Sequence, residues 1–187
     1  KRIFDVVGSL ILILATLPLM VFCAIVIRLE SSGSPLYKNE RVGQNGKRFF
    51  AYKFRSMYAQ YCTGARWDPT GAATAYELKL AQEKSERHGP VFKVLNDPRR
   101  TRVGRFLERF SLDELPQLFN VLNGTMSLVG PRPHMPIQVQ NYENNHHQLF
   151  SIRPVITGMA QVEGRSDLDF NDEARLDIFY MENWSVM

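Results

Sequence analysis

Two adjacent carboxylates and one arginine are the side chains of this sequence best suited to chemistry on a phosphate. Asp113 and Glu114 precede Arg132, which stands between two prolines, in the stretch SLDELPQLFNVLNGTMSLVGPRP. Ionised carboxylates ligate Mg²⁺ or attack phosphorus, and an arginine fork holds phosphate oxygens bidentately. The flanking prolines restrict the backbone around Arg132, which lowers the entropy lost when its guanidinium binds an anion.

Each of these features also has a structural interpretation. Ser111 followed three residues later by Glu114 matches a capping box, in which Glu114 ties off a helix start. Alternatively, Asp113 caps the helix and Pro116 lies in its first turn. Either arrangement places both carboxylates at a helix N-terminus, where the dipole favours the ionised form. Arg132 could equally occupy an ordinary surface turn.

A second arginine follows a glycine-bounded segment. In ITGMAQVEGR, residues 160–162 predict a short strand that ends in a turn and presents Arg165. An ordinary hairpin is the alternative interpretation. His146 and His147 have no metal-ligand spacing with Cys or Asp, so both are expected at the surface.

The elements that must position these residues predict a small mixed α/β domain that is rich in helix. Residues 34–57 predict two strands about a turn at Asn45-Gly46, the strongest short-range hairpin signal. Helices are expected at residues 75–87, 101–110, 137–150 and 171–183, and a strand is expected at residues 91–95. In the last helix the residues expected to face inward are Leu176, Phe179, Tyr180 and Trp184.

Length and charge favour one domain that binds phosphates. A chain of 187 residues buries a core without disulfides, and Cys23 and Cys62 have neither disulfide nor metal spacing, which favours a reducing compartment. The net charge of +4 conceals basic clusters over residues 38–55 and 87–109. Such clusters suit the phosphates of nucleic acid, nucleotide or lipid, or they form a solvated face.

An apolar run near the N-terminus predicts contact with a membrane. Residues 6–27 carry no charge, and as a helix rising about 1.5 Å per residue they would just span a bilayer core of ~30 Å. Pro18 near the middle kinks or breaks such a helix, and both flanks are basic, so the positive-inside rule gives no direction. A re-entrant helix bent at Pro18, with both flanks in the cytoplasm, is expected; a simple span and a buried core helix are the alternatives.

Six segments of the sequence stand in an order that is typical of one family. They are KRIFD before the apolar run, YKFRSM, DPRRTRVGRFL, SLDELPQLFNVLNGTMSLVGPRP, ITGMAQVEGR and LDIFYMENWS. With them the chain resembles the monotopic phosphoglycosyl transferases, the bacterial sugar transferases of polyprenyl-phosphate-linked pathways, and most of all the catalytic domain of the longer members. Two positions depart from the family pattern, since Leu17 replaces the serine of a usual Ser-Pro break and Val155 replaces a glycine.

The resemblance implies an activity and a role for each site residue. Asp113 would attack the β-phosphate of a UDP-sugar and expel UMP, with Glu114 as its partner, and both would hold Mg²⁺. Undecaprenyl phosphate would then take the phosphosugar from Asp113. The residues expected to bind the donor are Arg132, Arg165, Lys53, Arg55 and Asp177.

The resemblance also implies a layout and a location. Residues 1–32 would form the membrane-associated re-entrant helix and residues 33–187 the catalytic domain, on the cytoplasmic face of the bacterial inner membrane. The expected partners are UDP-sugar, undecaprenyl phosphate and membrane lipid; no nucleic acid is expected, and a homo-oligomer is left open. The reaction would be the first membrane step of capsule, exopolysaccharide or O-antigen synthesis.

Two other functions fit part of the pattern. A membrane-anchored module that binds anionic lipid or another phosphate would explain the charge and the apolar run, but it does not need Asp113 and Glu114. A metal-dependent phosphohydrolase at the membrane would use both carboxylates and release sugar phosphate without any acceptor.

Overall fold

Helices outweigh strands in this chain, and the strands form two small sheets. The computed structural model describes residues 1–64, 66–85, 94, 96–140, 142, 144–164 and 168–184. The helices are α1 (Arg2–Glu30), α2 (Ala72–Lys84), α3 (Arg102–Arg109), α4 (Gln117–Asn123), α5 (Pro136–Val139), α6 (Met159–Glu163) and α7 (Phe170–Asn183). The strands are β1 (Leu36–Val42), β2 (Arg48–Phe54), β3 (Ser127–Val129) and β4 (Val155–Thr157). The predicted mixed α/β, helix-rich class is confirmed.

The hairpin predicted at residues 34–57 is confirmed. β1 and β2 pair antiparallel from Leu36 opposite Phe54 to Val42 opposite Arg48. Their turn lies at Gln44–Gly46, where Asn45 has a left-handed φ of 57°, a conformation that an Asn-Gly pair tolerates. The odd-numbered residues of β1 before Val42 are partly buried, whereas the even-numbered residues before it are exposed. One face of the hairpin is therefore turned toward the domain.

The second sheet is not foreseen by the sequence. β3 and β4 have three residues each and pair in parallel, Ser127 with Val155 and Val129 with Thr157. Strands this short carry no usable periodicity. The strand predicted at residues 160–162 is wrong, because these residues belong to α6. The hydrogen bonding between β3 and β4 ends before residue 160, since Pro131, just beyond β3, has no N–H with which to extend it.

Three of the predicted helices are confirmed and one is wrong. α2, α3 and α7 fall on the predictions with ends shifted by three residues or fewer. The helix predicted at residues 137–150 is instead α5 followed by a 3₁₀ segment, Asn144–Ser151. Tyr142, between these two segments, and His146, in the 3₁₀ segment, are both buried and contact the Phe170 ring. His146 is thus not the surface residue that the sequence predicts.

The buried face of α7 differs from the predicted one. Its buried residues are Phe170, Glu173, Ala174 and Asp177, whereas Phe179 and Trp184 are exposed. Two carboxylates one turn apart therefore point inward where aromatic side chains are predicted. Of the strand predicted at 91–95, only Val94 is described, in a bridge with Ser85; the other residues lie outside the described part of the chain.

α1 is one continuous helix that packs along the domain. It continues through Pro18, which corrects the predicted break: the proline removes a single backbone hydrogen bond, and Ile13 and Met20 on either side of it are both buried. After the proline, Met20, Cys23 and Ile27 pack with Phe54 and Leu107 in a core cluster. The C-terminal half of α1 is thereby fixed against β2 and α3.

Hydrogen bonds attach both ends of α1 to the rest of the domain. Arg2 donates to two carbonyl oxygens in the last turn of α4, at 2.6 and 2.8 Å. Asp5 accepts hydrogen bonds from a hydroxyl and a backbone N–H of β3. At the other end, Glu30 accepts from the first two backbone N–H groups of α3, so it caps that helix. Both ends therefore contact the same globular body.

Most of the apolar surface of α1 faces outward. By length and composition the helix can cross a membrane, and only 22% of its most apolar stretch is buried inside the domain. Within the described domain α1 is therefore not a buried core helix. The exposed large apolar side chains of α1 are Ile3, Phe4, Val7, Leu10, Ile11, Leu12, Leu14, Leu17, Leu19, Val21, Phe22, Ile25 and Leu29.

Candidate active site

A short 3₁₀ turn carries the two carboxylates. Asp113 and Glu114 are the last residues of the turn Leu112–Glu114, which follows Ser111 in left-handed backbone at φ 57°. Ser111 makes no side-chain cap hydrogen bond, so the capping box is not formed. Pro116, rather than Asp113, stands at the N-cap of α4. Neither carboxylate caps α4, and both are available to the site.

Lys53 on β2 joins the carboxylates into one ion-paired group. Its Nζ lies 3.2 Å from Asp113 Oδ2 and 2.7 Å from Glu114 Oε1. Burial alone would lower the pKa of Lys53, but the two carboxylates outweigh it and raise that pKa. Burial alone would raise the pKa of Glu114, yet Lys53 and then Arg132 hold it below its usual value. Glu114 is therefore ionised at neutral pH.

Asn120 on α4 joins that helix to β2 beside Lys53. Its buried side chain accepts a hydrogen bond from Tyr52 N at 2.8 Å and donates one to Phe50 O at 2.8 Å. These bonds fix the strand residues just before Lys53 against the helix that follows the carboxylates. Sequence reasoning missed Asn120, although a polar residue inside the apolar stretch LFNVL of a helix was a usable signal.

Arg132 is presented by a loop that hydrogen bonds to three elements. The bonds are Gly130 N to Thr157 O, Val155 N to Pro131 O, Val42 N to His134 O and Arg132 N to Asp177 Oδ2, at 3.0 to 3.2 Å. The guanidinium reaches the carboxylates, with Nη2 3.6 Å from Glu114 Oε1, and its side chain stays 40% exposed. Tertiary hydrogen bonds thus add to the restraint that the two prolines impose, and they leave the guanidinium open to a ligand.

Asp177 lies behind the Arg132 loop. It is buried, its Oδ2 accepts from the backbone N of Arg132, and its Oδ1 has no hydrogen-bond partner in the part of the chain that is described. Burial raises the pKa of Asp177 to about 7, and the nearby Glu173 carboxylate adds to the rise. The sequence predicts a donor-binding residue here, whereas the geometry gives Asp177 contact with the backbone that presents Arg132.

One further predicted donor-binding residue, Arg55, does not join this cluster. Arg55 is buried, and its guanidinium donates to the carbonyl oxygens of Ser31, Ser34 and Met57 at 2.8 to 3.4 Å. These contacts fix the segment that leaves α1, and they occupy the donors that a phosphate would need. Arg165 lies outside the described residues.

The two carboxylates fit a magnesium ion of the substrate-bridging kind. Lys53 uses one oxygen of each, and Asp113 Oδ1 and Glu114 Oε2 have no hydrogen bond to any described residue. Across the described residues there is no group of three or more His, Cys, Asp or Glu that could hold a metal alone. Mg²⁺ commonly uses one or two protein carboxylates and completes its coordination shell with water and substrate phosphates. This pair therefore supplies as many protein ligands as such an ion needs.

Comparison with known proteins points to one family. The family model described as bacterial sugar transferase matches residues 1–187. The undecaprenyl-phosphate galactose phosphotransferase of Salmonella typhimurium is 39% identical over 190 residues, covering all of this chain and 37% of that protein. The undecaprenyl-phosphate glucose phosphotransferase of Komagataeibacter xylinus is 38% identical over 197 residues, covering all of this chain and 33% of that protein.

A shorter relative matches over most of its own length. The exopolysaccharide production protein PSS of Rhizobium leguminosarum bv. phaseoli is 39% identical over 198 residues, covering all of this chain and 88% of that protein. The chain thus spans about a third of the length of the two phosphotransferases and nearly all of the rhizobial protein. One of the two phosphotransferases is named for galactose and the other for glucose, so the similarity does not single out a sugar.

Proposed function

The chain belongs to the bacterial sugar transferase family, and from that premise we propose that it moves a sugar 1-phosphate from a UDP-sugar to undecaprenyl phosphate and releases UMP. One observation carries the proposal: Lys53 holds Asp113 and Glu114 side by side, and Arg132 approaches them from a hydrogen-bonded loop. The names of the two phosphotransferase relatives supply the acceptor. UDP-sugar as donor follows from the resemblance.

The proposed mechanism has two displacements at one phosphorus. An oxygen of Asp113 attacks the sugar-bearing phosphate, and the bond to the bridging oxygen breaks, so that this oxygen leaves with UMP. The sugar phosphate is then held on Asp113 as an acyl phosphate. A phosphate oxygen of undecaprenyl phosphate next attacks the same phosphorus, which frees the Asp113 carboxylate and yields undecaprenyl diphospho-sugar.

The remaining residues prepare this nucleophile and its target. Lys53 keeps the two carboxylates together and holds Glu114 ionised, and Arg132 offers a preorganised fork to phosphate oxygens. Asp113 and Glu114 would hold Mg²⁺, which when bound would neutralise part of the diphosphate charge that opposes an anionic nucleophile. Asn120 and Asp177 support the reaction indirectly, because they fix the backbone that presents Lys53 and Arg132.

The membrane position of the site follows from α1. We infer that residues 1–32 are the membrane-associated segment, with both ends of the continuous helix α1 on the same face of the bilayer, and that residues 33–187 form the catalytic domain on the cytoplasmic face of the bacterial inner membrane. Both ends of α1 contact one globular body, while its apolar side chains face outward. A polyprenyl phosphate keeps its chain in lipid and its phosphate at the surface, so this arrangement would place Asp113 where both substrates meet.

Covalent labelling tests the mechanism. Wild-type protein in nanodiscs is incubated with UDP-sugars radiolabelled in the sugar, with Mg²⁺ or with EDTA, and is assayed for bound label and UMP. We expect label at Asp113 only with Mg²⁺, and we expect Asp113→Asn to lose label and to release UMP about 10⁴-fold more slowly or worse. Asp172→Asn, an exposed carboxylate of α7, is the matched control and should behave as wild type.

The same assay separates the rival functions. UMP release without any covalent label would contradict the aspartyl intermediate. Release of free sugar phosphate in the absence of undecaprenyl phosphate would identify a phosphohydrolase. Retention of anionic-lipid or nucleotide binding, with no turnover of any UDP-sugar by wild type, would identify a binding module.

A further inference from the structure

Arg41 lies on the same face of the hairpin as Lys53. Side chains on a strand alternate between faces, and the partly buried residues of β1 before Val42 are the odd-numbered ones, Arg41 among them. Tyr37 pairs directly with Lys53, while Arg41 pairs with Phe49. Cross-strand partners share a face. Arg41 and Lys53 therefore project toward the same interior, with Arg41 nearer the hairpin turn.

Hydrogen bonds turn the Arg41 side chain back along the strand. Its Nη1 donates to Asn39 Oδ1 at 3.1 Å and to the carbonyl oxygen of Glu40 at 3.3 Å. Asn39 is the next inward residue in the direction of Lys53. The adjacent Val42 N donates to His134 O, which brings the Arg132 loop against this end of β1. Arg41 thus lies between the strand and the loop that carry the other two cations.

Charges in this cluster do not balance. Lys53 pairs with Asp113 and Glu114, and Arg132 pairs with Glu114. Among the described residues no carboxylate comes within ion-pair distance of Arg41, whose hydrogen bonds go to neutral oxygens. Three cations thus face two carboxylates, and the excess positive charge lies beside Arg41.

The electrostatic environment of Arg41 agrees with this count. Burial and then the positive charge of Arg132 lower the pKa of Arg41 to about 10, so it stays charged at neutral pH while two guanidinium groups repel each other. A partly buried cation without an anionic partner is unfavourable for the fold alone. An anion bound between Arg41 and Arg132 would give Arg41 an anionic partner and would reduce the repulsion between the two guanidinium groups.

We propose that Arg41, together with Arg132, binds the phosphate of the donor that leaves as part of the nucleotide. The inference rests on the proposed function. Lys53 is already paired with the carboxylates at the reacting end, whereas Arg41 has no carboxylate partner among the described residues and is near enough to Arg132 for the two positive charges to repel each other. When the bridging oxygen leaves, negative charge grows on that phosphate, and a fixed guanidinium beside it stabilises the change.

Binding of UMP and of inorganic pyrophosphate tests the assignment without turnover. Calorimetric titrations compare wild type, Arg41→Gln, Arg41→Lys and Arg48→Gln in nanodiscs. We expect Arg41→Gln to weaken both ligands about 10- to 100-fold, as loss of a charge-assisted hydrogen bond does, and Arg41→Lys to weaken them less. Arg48→Gln is the matched control, because Arg48 is exposed on the same hairpin, and it should bind as wild type.

Melting temperature and steady-state kinetics complete the test. Arg41→Gln without ligand should melt at or above the wild-type temperature, since it relieves repulsion, and pyrophosphate should raise its melting temperature less. In turnover, its KM for UDP-sugar should rise and its kcat should fall, with KM for undecaprenyl phosphate unchanged. An unliganded variant that melts earlier, or one that binds UMP as tightly as wild type, would overturn the assignment.

These measurements distinguish a failure of the Arg41 assignment from a failure of the proposed function. If wild type binds UMP, Arg41→Gln binds it weakly and no UDP-sugar is turned over, the anion site stands and the transferase proposal falls. If UMP is released normally but both proteins bind UMP equally, the transferase stands and the role of Arg41 falls.

Discussion

At the scale of single residues, Lys53 decides the state of the candidate site. Two adjacent carboxylates repel each other when both are ionised, and in this chain one ammonium group contacts both of them. The raised pKa of Lys53 and the lowered pKa of Glu114 are two consequences of this contact. Lys53 therefore acts on the carboxylates before any substrate binds.

Removing that charge should shift the pH dependence of the reaction. In Lys53→Gln, burial would raise the pKa of Glu114 without opposition from the ammonium group, so the ionised form would appear only at higher pH. We expect the acidic limb of the pH profile for UMP release to move upward and kcat to fall about 10²-fold. Lys47→Gln, at the exposed hairpin turn, is the control; an acidic limb at the wild-type pH would contradict the role of Lys53.

At the scale of elements, the Arg132 loop depends on α7 and on the second sheet. Asp177 and Glu173 are one helical turn apart on α7; the first contacts the Arg132 backbone and the second lies 3.5 Å from His134 Nε2. Gly130 and Gly158 meet where β3 and β4 end, with Gly130 in left-handed backbone at φ 150°. The loop is thus fixed from two sides.

The buried carboxylate of α7 should make stability fall as pH rises. The pKa of Asp177 is raised to about 7 in the fold, so the folded state keeps a proton that the unfolded state loses above about pH 4. The contribution of Asp177 to the free energy of unfolding is therefore fully present below about pH 4, and it is lost as the pH rises through 7. Asp177→Asn should therefore be more stable than wild type at pH 8, by up to about 4 kcal/mol, and by less than half of that at pH 5.

Denaturant unfolding at the two pH values measures this difference. Asp172→Asn, on the exposed side of the same helix, should change stability little at either pH. An Asp177→Asn protein that is equally destabilised at pH 5 and pH 8 would show that the carboxylate charge is needed for the fold.

Close approach of two backbones should make Gly158 sensitive to a single methyl group. Its own φ of −161° suits any residue, but a Cβ there would lie 2.0 Å from Gly130 O. Gly158→Ala should separate the ends of β3 and β4, cost about 1–3 kcal/mol or more, and disturb Arg132 through Gly130. The control is Gly43→Ala, whose Cβ would meet the edge of the Phe49 ring, which can move.

The Gly158 prediction is checked by melting temperature and by UMP release together. We expect both to fall in Gly158→Ala and the control to lose less of each. Wild-type activity in a folded Gly158→Ala protein would mean that the Arg132 loop tolerates the shift.

At the scale of the whole molecule, α1 packs against the domain on one side while most of its apolar surface faces outward. The helix contributes Met20, Cys23 and Ile27 to the core cluster that also contacts Leu112 and Leu115, the residues on either side of the carboxylates. The apolar helix and the candidate site are therefore parts of one packed unit. A helix in this position would hold the nucleophile at a fixed depth relative to the bilayer surface.

Cysteine labelling tests whether both ends of α1 lie on one side of the membrane. In a Cys23→Ala, Cys62→Ser background, single cysteines replace Lys1, Ser32 or, as a control in the domain, Asn171. We expect a membrane-impermeant maleimide to label none of them in intact spheroplasts and all three after lysis. Labelling of Lys1→Cys alone in intact spheroplasts would show that the helix spans the bilayer.

Local sequence patterns account for the parts of the fold that local forces determine. The Asn45-Gly46 turn, helices α2, α3 and α7, the apolar segment and the position of Asp113 and Glu114 beside a helix start are all readable, because each depends on neighbours along the chain. The family, too, follows from motifs in order. Prediction fails at Tyr142, which lies between two helical segments and is buried against Phe170.

Tertiary structure alone decides what the site residues do. Lys53 meets carboxylates 60 and 61 positions away, and Asp177 meets the Arg132 backbone 45 positions away. Arg55 lies in the same YKFRSM motif as Lys53, yet its guanidinium donates hydrogen bonds to backbone carbonyl oxygens and not to the site. The parallel pairing of β3 with β4 and the unpaired charge of Arg41 also depend on distant partners. Sequence by itself determined the chemical groups and their local backbone, whereas contacts between remote elements determined which groups face one another, because residue type does not encode the partner that packing supplies.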